Sequence, residues 1–254
     1  MTIARAGLIS FFLFFGFSRG AVAEEWQVLA ERLTGESDAA RAEVVQALRD
    51  VPDLQNLLFR ELSGMNRPLA LDVIAALGLK EFIPELKARV ASDADGLVTL
   101  ALNTLAAGPA AHELAEFYRA VLETARTGIY LSPVTRVILL DTLGRFGGFV
   151  DPAVLQELLV ADEPEVRSAV LYYSRFFWKK SERAELLPLA REALFAPAFQ
   201  LRLQVLSLLP ELPPAFRSTG RRYLDHCLRD PHAEVRAQCR LQLQAELTRG
   251  WGRS

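Results

Sequence analysis

Apolar residues recur along this chain at helical spacing, and the spacing itself repeats. The strings DEPEVRSAVL (162–171) and DPHAEVRAQC (230–239) share an acidic opening, a proline, Glu-Val-Arg and then a helical run. With that arginine as an anchor, equivalent positions fall at Arg41, Ala70, Val98, Arg136, Arg167, Arg202 and Arg236, which are 29, 28, 38, 31, 35 and 34 residues apart. Three, four and seven residues past the anchor lie on one face of a helix. There the units read Val44, Val45, Leu48; Val73, Ile74, Leu77; Ala101, Leu102, Leu105; Leu139, Leu140, Leu143; Val170, Leu171, Ser174; Val205, Leu206, Leu209; and Cys239, Arg240, Leu243. Only Ser174 and Arg240 depart, so 19 of 21 positions are apolar where a composition of 51% apolar residues predicts about 11. The pattern therefore belongs to the units and not to the bulk composition.

Between these runs lie partners with apolar stripes of their own, such as Trp26, Leu29, Leu33; Leu54, Leu57, Leu58, Leu62; Leu114, Phe117, Tyr118, Val121, Leu122; and Leu155, Leu158, Leu159. Each unit reads as a helix, a short turn and a second helix. Ser132-Pro133, Asp151-Pro152 and Asp230-Pro231 each set a capping side chain before a proline at the first helical position, where a missing N–H costs nothing. The alternating strings that strands require are absent. A helix pair of this size has two apolar flanks and cannot cover both alone, whereas stacking neighbours makes one continuous core. The expectation is an all-α protein, an α-solenoid of about seven units over residues 24–250, with a short tail at 251–254.

The strings DEPEVRSAV and DPHAEVRAQC resemble the HEAT repeat, in particular its short bacterial form, whose second helix opens Asp-x-x-x-x-Val-Arg. The likeness is close in units five and seven, partial in one, four and six, and weak in two and three, which lack the arginine. The signposts of TPR and ankyrin repeats are missing. Resemblance to HEAT proteins implies a binding scaffold, usually without catalysis, whose second helices line a concave surface.

The first residues change the picture of compartment. MTIARAG brings a positive charge at Arg5, LISFFLFFGF (8–17) is apolar, and Ala21-Val22-Ala23 is a small-residue cleavage site, the sequence of a signal peptide cut between Ala23 and Glu24. Ten residues rise only about 15 Å as a helix, half of a bilayer's hydrocarbon core. The expected product is exported, periplasmic or secreted, without stable membrane insertion. The whole chain carries a formal charge of -2, so no positive field draws it to nucleic acid.

The stretch LYYSRFFWKK (171–180) is the densest aromatic cluster. By helical geometry Trp178 returns to the core face, while Tyr172 and Phe176, five and nine residues past the anchor, point 150–170° away with Lys179 and Lys180 in the same outer half. This row is normally polar or small, as at Gln46, Ala75, Asn103, Asp141 and Ser207 at five and Asp50, Arg145 and Glu211 at nine. Two readings stand. Tyr172 and Phe176 either pack under a neighbouring loop or a second copy, or anchor a protein or peptide partner with Lys179, Lys180 and Arg145 as a charged margin.

The second cluster, YLDHCLRDPHAEVRAQC, holds both cysteines, Cys227 and Cys239, with His226 and His232. Three readings compete: two small buried hydrophobes, a disulfide across the antiparallel pair worth about 3 kcal/mol by loop closure, or a metal site. The spacings are irregular for zinc, so no metal is expected. Arg167 and Arg236, close after Asp162 and Asp230, suggest a structural ladder between repeats. No phosphate loop, nucleophile elbow or metalloprotease motif appears, and Gly147-Gly148 reads as a turn after a helix. The expected function is a non-enzymatic scaffold without a cofactor. Its alternative is an accessory to cofactor or envelope-polymer chemistry that binds a small ligand, as some HEAT-like repeats resemble those of bilin lyases.

Overall fold

A computed structural model of the protein describes residues 26–33, 38–106, 110–125, 130–178, 186–211 and 217–248. The expected signal peptide (1–23), Lys179, Lys180, the side chain of Trp178 and the tail at 251–254 lie outside the described residues. Among the described residues every regular element is helical, and no helix is long and apolar enough to cross a membrane. The chain divides into two units, one ending at Phe82 and one beginning at Ile83.

The first unit contains α1 (26–33), α2 (Asp38–Arg49), α3 (Leu54–Glu61) and α4 (Arg67–Leu77). Helices α2 and α3 both pack on α4. Trp26, Leu48, Leu58, Leu62 and Ile74 are each at most 1% exposed, and full burial of one such side chain contributes about 1.5–3 kcal/mol. A Phe59–Phe82 ring pair, with centroids 4.7 Å apart, closes this unit.

The second unit contains α5 (Ile83–Arg89), α6 (Leu97–Leu105), α7 (Ala110–Ala125), α8 (Pro133–Phe146), α9 (Pro152–Leu159), α10 (Pro164–Trp178), α11 (Leu187–Leu194), α12 (Phe199–Leu208), α13 (Arg217–Cys227) and α14 (Ala233–Thr248). They pack as consecutive pairs: α5 with α6, α7 with α8, α9 with α10, α11 with α12 and α13 with α14. The second members also pack in series, α6 on α8, α8 on α10, α10 on α12 and α12 on α14. In both units the face three, four and seven residues past each anchor is buried, except that Val45, Leu77 and Leu243 are half-buried and Arg240 is exposed. Ser174, the one polar residue at a buried slot of that face, is satisfied by its own helix, its hydroxyl donating to the Val170 carbonyl at 2.8 Å.

Helix ends follow local chemistry. The Ser132 hydroxyl accepts from the Thr135 N–H at 3.1 Å with Pro133 in the first turn, and Asp151 accepts from the Ala153 N–H at 2.8 Å ahead of Pro152. Gly147, with φ at 77°, stops α8 in the left-handed region, which is why glycine stands there. The third capping pair behaves differently. Helix α14 begins at Ala233, not at Pro231: the Asp230 and Pro231 carbonyls accept from Arg236 Nη1, and the first backbone bond runs from the Arg236 N–H to the His232 carbonyl.

Candidate functional site

A groove of about 640 Å³ lies along the second unit's row of second helices, between α6, α8 and α10. Leu100, Val137, Ile138, Phe146 and Tyr172 are its apolar lining, with Ala169 between α8 and α10. Leu100 is 48% exposed and Tyr172 50%, so two large apolar side chains from neighbouring helices face solvent in one groove.

The polar residues around the groove already have partners within the chain. Asn103 donates from Nδ2 to Thr142 Oγ1 at 2.8 Å, and its Oδ1 lies 2.9 Å from the Tyr118 hydroxyl. Thr104 donates to the Leu100 carbonyl at 3.1 Å, and Asp141 pairs with Arg145 at 2.9 Å. Asp141 and Arg145 are exposed members of one helix, so this ion pair contributes only about 0.3–0.5 kcal/mol.

A buried polar chain stands behind the groove. Asp93, 2% exposed, opens α6 by accepting from the N–H groups of Val98 at 3.2 Å and Thr99 at 2.9 Å and from the Thr99 hydroxyl at 2.7 Å. Its carbonyl receives the hydroxyls of Ser132, at 3.0 Å, and Thr135 from the start of α8. Tyr118 of α7 lies 3.2 Å from the Thr99 carbonyl. Burial, and then the charge of Asp93, push the Tyr118 phenol far above its usual range. This network sets α6 against α8 by directional bonds and so fixes two walls of the groove.

The residues expected at a partner site separate here. Tyr172 and Arg145 both line the groove, Arg145 being 66% exposed. Phe176 is half-buried against α8, since a Cβ at Gly144 would stand 2.5 Å from its Cδ2. It braces α10 on α8 and is no free anchor. Lys179 and Lys180 lie outside the described residues. Leu100 and Ile138, missed in the sequence, carried a readable signal. They occupy the position two past the anchor, where four other units hold Glu43, Asp72, Gln204 and Gln238 and the fifth holds Ala169.

The anchor arginines tie turns together. Arg167, Arg202 and Arg236 each direct Nη1 at the carbonyls six and five residues before them: Ala161 and Asp162, Ala196 and Pro197, Asp230 and Pro231, at 2.6–3.3 Å. Most of this bonding stays within one turn rather than forming rungs between repeats. Arg202 is the fuller case, because its Nε and Nη2 also reach Asp230 at 2.7 and 3.0 Å, a bidentate pair between side chains 9% and 8% exposed. Although burial raises the Asp230 pKa, the bonds from Arg202 and the His232 N–H outweigh it and hold the carboxyl below its usual value. Arg136 approaches Glu163 of the next unit at 3.8 Å.

Cys227 and Cys239 are joined in a disulfide, with Cα atoms 6.1 Å apart, inside the usual span. Among the described residues no three His, Cys, Asp or Glu side chains gather to hold a metal ion. The chain matches no family model, no curated protein and no solved structure, so the groove's own geometry carries the functional conclusion.

Proposed function

We propose that this protein is an exported, non-enzymatic scaffold, a solenoid of about seven HEAT-like helix pairs, that binds another protein or peptide in the groove between α6, α8 and α10. One observation carries the proposal: an open groove of about 640 Å³ walled by Leu100, Val137, Ile138, Phe146 and Tyr172. The series packing of second helices favours the solenoid, and the leader sequence and the bonded cysteines favour export. Because the groove's polar residues are bonded within the chain, an extended peptide would find few partners for its backbone and lose hydrogen bonds to water. An amphipathic helix satisfies its own backbone. Three helices side by side at 8–10 Å span roughly 20 Å, the length of about 13 helical residues. The same volume also lies within the range of small-ligand sites, which keeps the ligand-binding accessory as the second reading.

A displayed library of 16-residue peptides, panned on the purified protein, tests this. The expected binders carry apolar residues at helical spacing. They lose at least tenfold in affinity, by fluorescence anisotropy, against a variant with Tyr172→Ala and Leu100→Asn whose melting temperature is nearly unchanged. Peptides that bind both proteins equally, or none at all, reject the groove as a peptide site. Thermal stabilisation of the wild-type protein alone by small ligands selects the second reading instead.

A further inference from the structure

The last helix pair differs from the others in how little it buries. Among the described side chains of α13 and α14 the buried ones are Leu224, Cys227, Val235 and Cys239, so half of this small core is the cysteine pair itself. In α8 alone Leu139, Leu140 and Leu143 are all fully buried. Beyond the packing of α14 on α12, the groups that dock the pair sit at its turn. His226 and His232 meet Phe195 and Phe199 of the α11–α12 turn, with ring centroids 4.6 and 4.3 Å apart, and Asp230 takes the bidentate Arg202. Cys227 ends α13 immediately before this turn, and its carbonyl accepts the Asp230 N–H at 3.0 Å. Cys239 lies on α14 just after the turn, one helical turn past Arg236, the arginine that holds the Asp230 carbonyl. The disulfide thus closes the segment that carries Asp230 and His232, with His226 immediately before its first stem.

We propose that the Cys227–Cys239 disulfide is a redox lock on the end of the stack: α13–α14 docks firmly on α11–α12 only when the bond is formed. A pair with so few buried apolar side chains relies on a covalent staple in place of a core. Reduction by a dithiol breaks the S–S bond, transfers two electrons and two protons to the cysteines and leaves the reductant as its own disulfide. The stems then part, Asp230 loses its fixed position opposite Arg202, and the last pair opens while the groove region remains folded. This device is independent of any partner in the groove. It makes the length of the folded row depend on the compartment's redox poise.

Hydrogen exchange on the full chain, followed by mass spectrometry before and after dithiothreitol, tests it, with complete reduction verified by alkylation of two thiols. Amides of α13 and α14 are expected to exchange roughly tenfold faster or more after reduction, from the loss of a 12-residue closed loop. Those of α8 and α10 should change less than twofold. A variant carrying Cys227→Ala and Cys239→Ala should match the reduced protein and ignore the reductant. Equal protection of α13–α14 in both redox states overturns the proposal. So does a rise spread evenly over α6 to α14, which would make the bond a general support of the unit. Should the double variant fail to fold, the wild-type comparison still decides.

Discussion

The second unit is held together in two different ways along one row of helices. Around α6, α8 and α10 the second helices bury faces that are apolar except for Ser174, and α6 is joined to α8 by a buried network through Asp93, Thr99, Tyr118, Asn103 and Thr142. On α12 the face of Val205, Leu206 and Leu209 is buried, but on α14 it keeps only Cys239, with Arg240 exposed and Leu243 half-buried, and other contacts join the two: Arg202 with Asp230, one stacked and one tilted histidine–phenylalanine pair, and a disulfide within the last pair. The outward row differs less sharply. It is apolar at Leu100, Ile138 and Tyr172, polar at Gln204, Ser207 and Gln238, and apolar again at Leu241, 59% exposed. Only in the first region do the exposed apolar side chains of neighbouring helices line one groove.

If that contrast is right, the largest single-residue effect belongs to the charged region. Asp230→Ala leaves the Arg202 guanidinium buried without its carboxylate and should destabilise the protein by about 3 kcal/mol in urea titrations, with exchange rising first in α13 and α14. The same pair predicts an acid limb. A carboxyl whose folded pKa lies below the unfolded value of about 3.9 contributes stability that is complete above that value and is lost as pH falls through the lower folded value. Unfolding curves taken from pH 5 to pH 2 should therefore show a limb that is smaller in Asp230→Ala.

In the groove region the sharpest effect short of core deletion is Gly96→Ala, about 2 kcal/mol by thermal denaturation. Gly96 has φ at 76°, and an added Cβ would stand 2.5 Å from Ile138 Cδ1 and 2.9 Å from Val134 Cγ1. The displaced Ile138 should also lower affinity for any groove-bound peptide. An unchanged melting temperature would mean that α6 and α8 are less tightly set than the network implies.

The smallest effect is at the buried phenol. Tyr118→Phe should cost about 1 kcal/mol at neutral pH, for the bonds to Thr99 and Asn103. The difference shrinks at high pH. With the folded pKa raised, the unfolded chain releases its tyrosine proton first, so wild-type stability declines as pH rises above about 10. The variant lacks that decline, and the two stability curves should converge between pH 10 and 12. Parallel curves would indicate that Tyr118 ionises normally.

Much of this was legible beforehand where one helix decides the outcome. The anchor faces, the Ser132 and Asp151 caps and the stop at Gly147 all depend on residues within a few positions of each other, and all stand as the pattern implied. Phe176 was legible only in direction: it points off the core face, yet Gly144 on another helix supplies the space it fills. Arg202 read as one of a row of equivalent arginines, and nothing near it in the chain announces Asp230 as its partner 28 residues on. The groove was half-visible, since Leu100 and Ile138 break a polar row, but that row becomes a wall only when α6, α8 and α10 lie side by side.

Taken alone, the sequence determined that the chain is helical, which stripe of each second helix is buried and where several of those helices begin and stop, because hydrophobic periodicity and capping act over one or two turns. Tertiary packing decided which outward residues meet in a groove, which aromatic stays exposed and which is packed between helices, and which of several like arginines becomes a buried clamp. Those outcomes depend on the lateral register between helices some 30 residues apart, a quantity set by how side chains from different units fit together and written in no single segment.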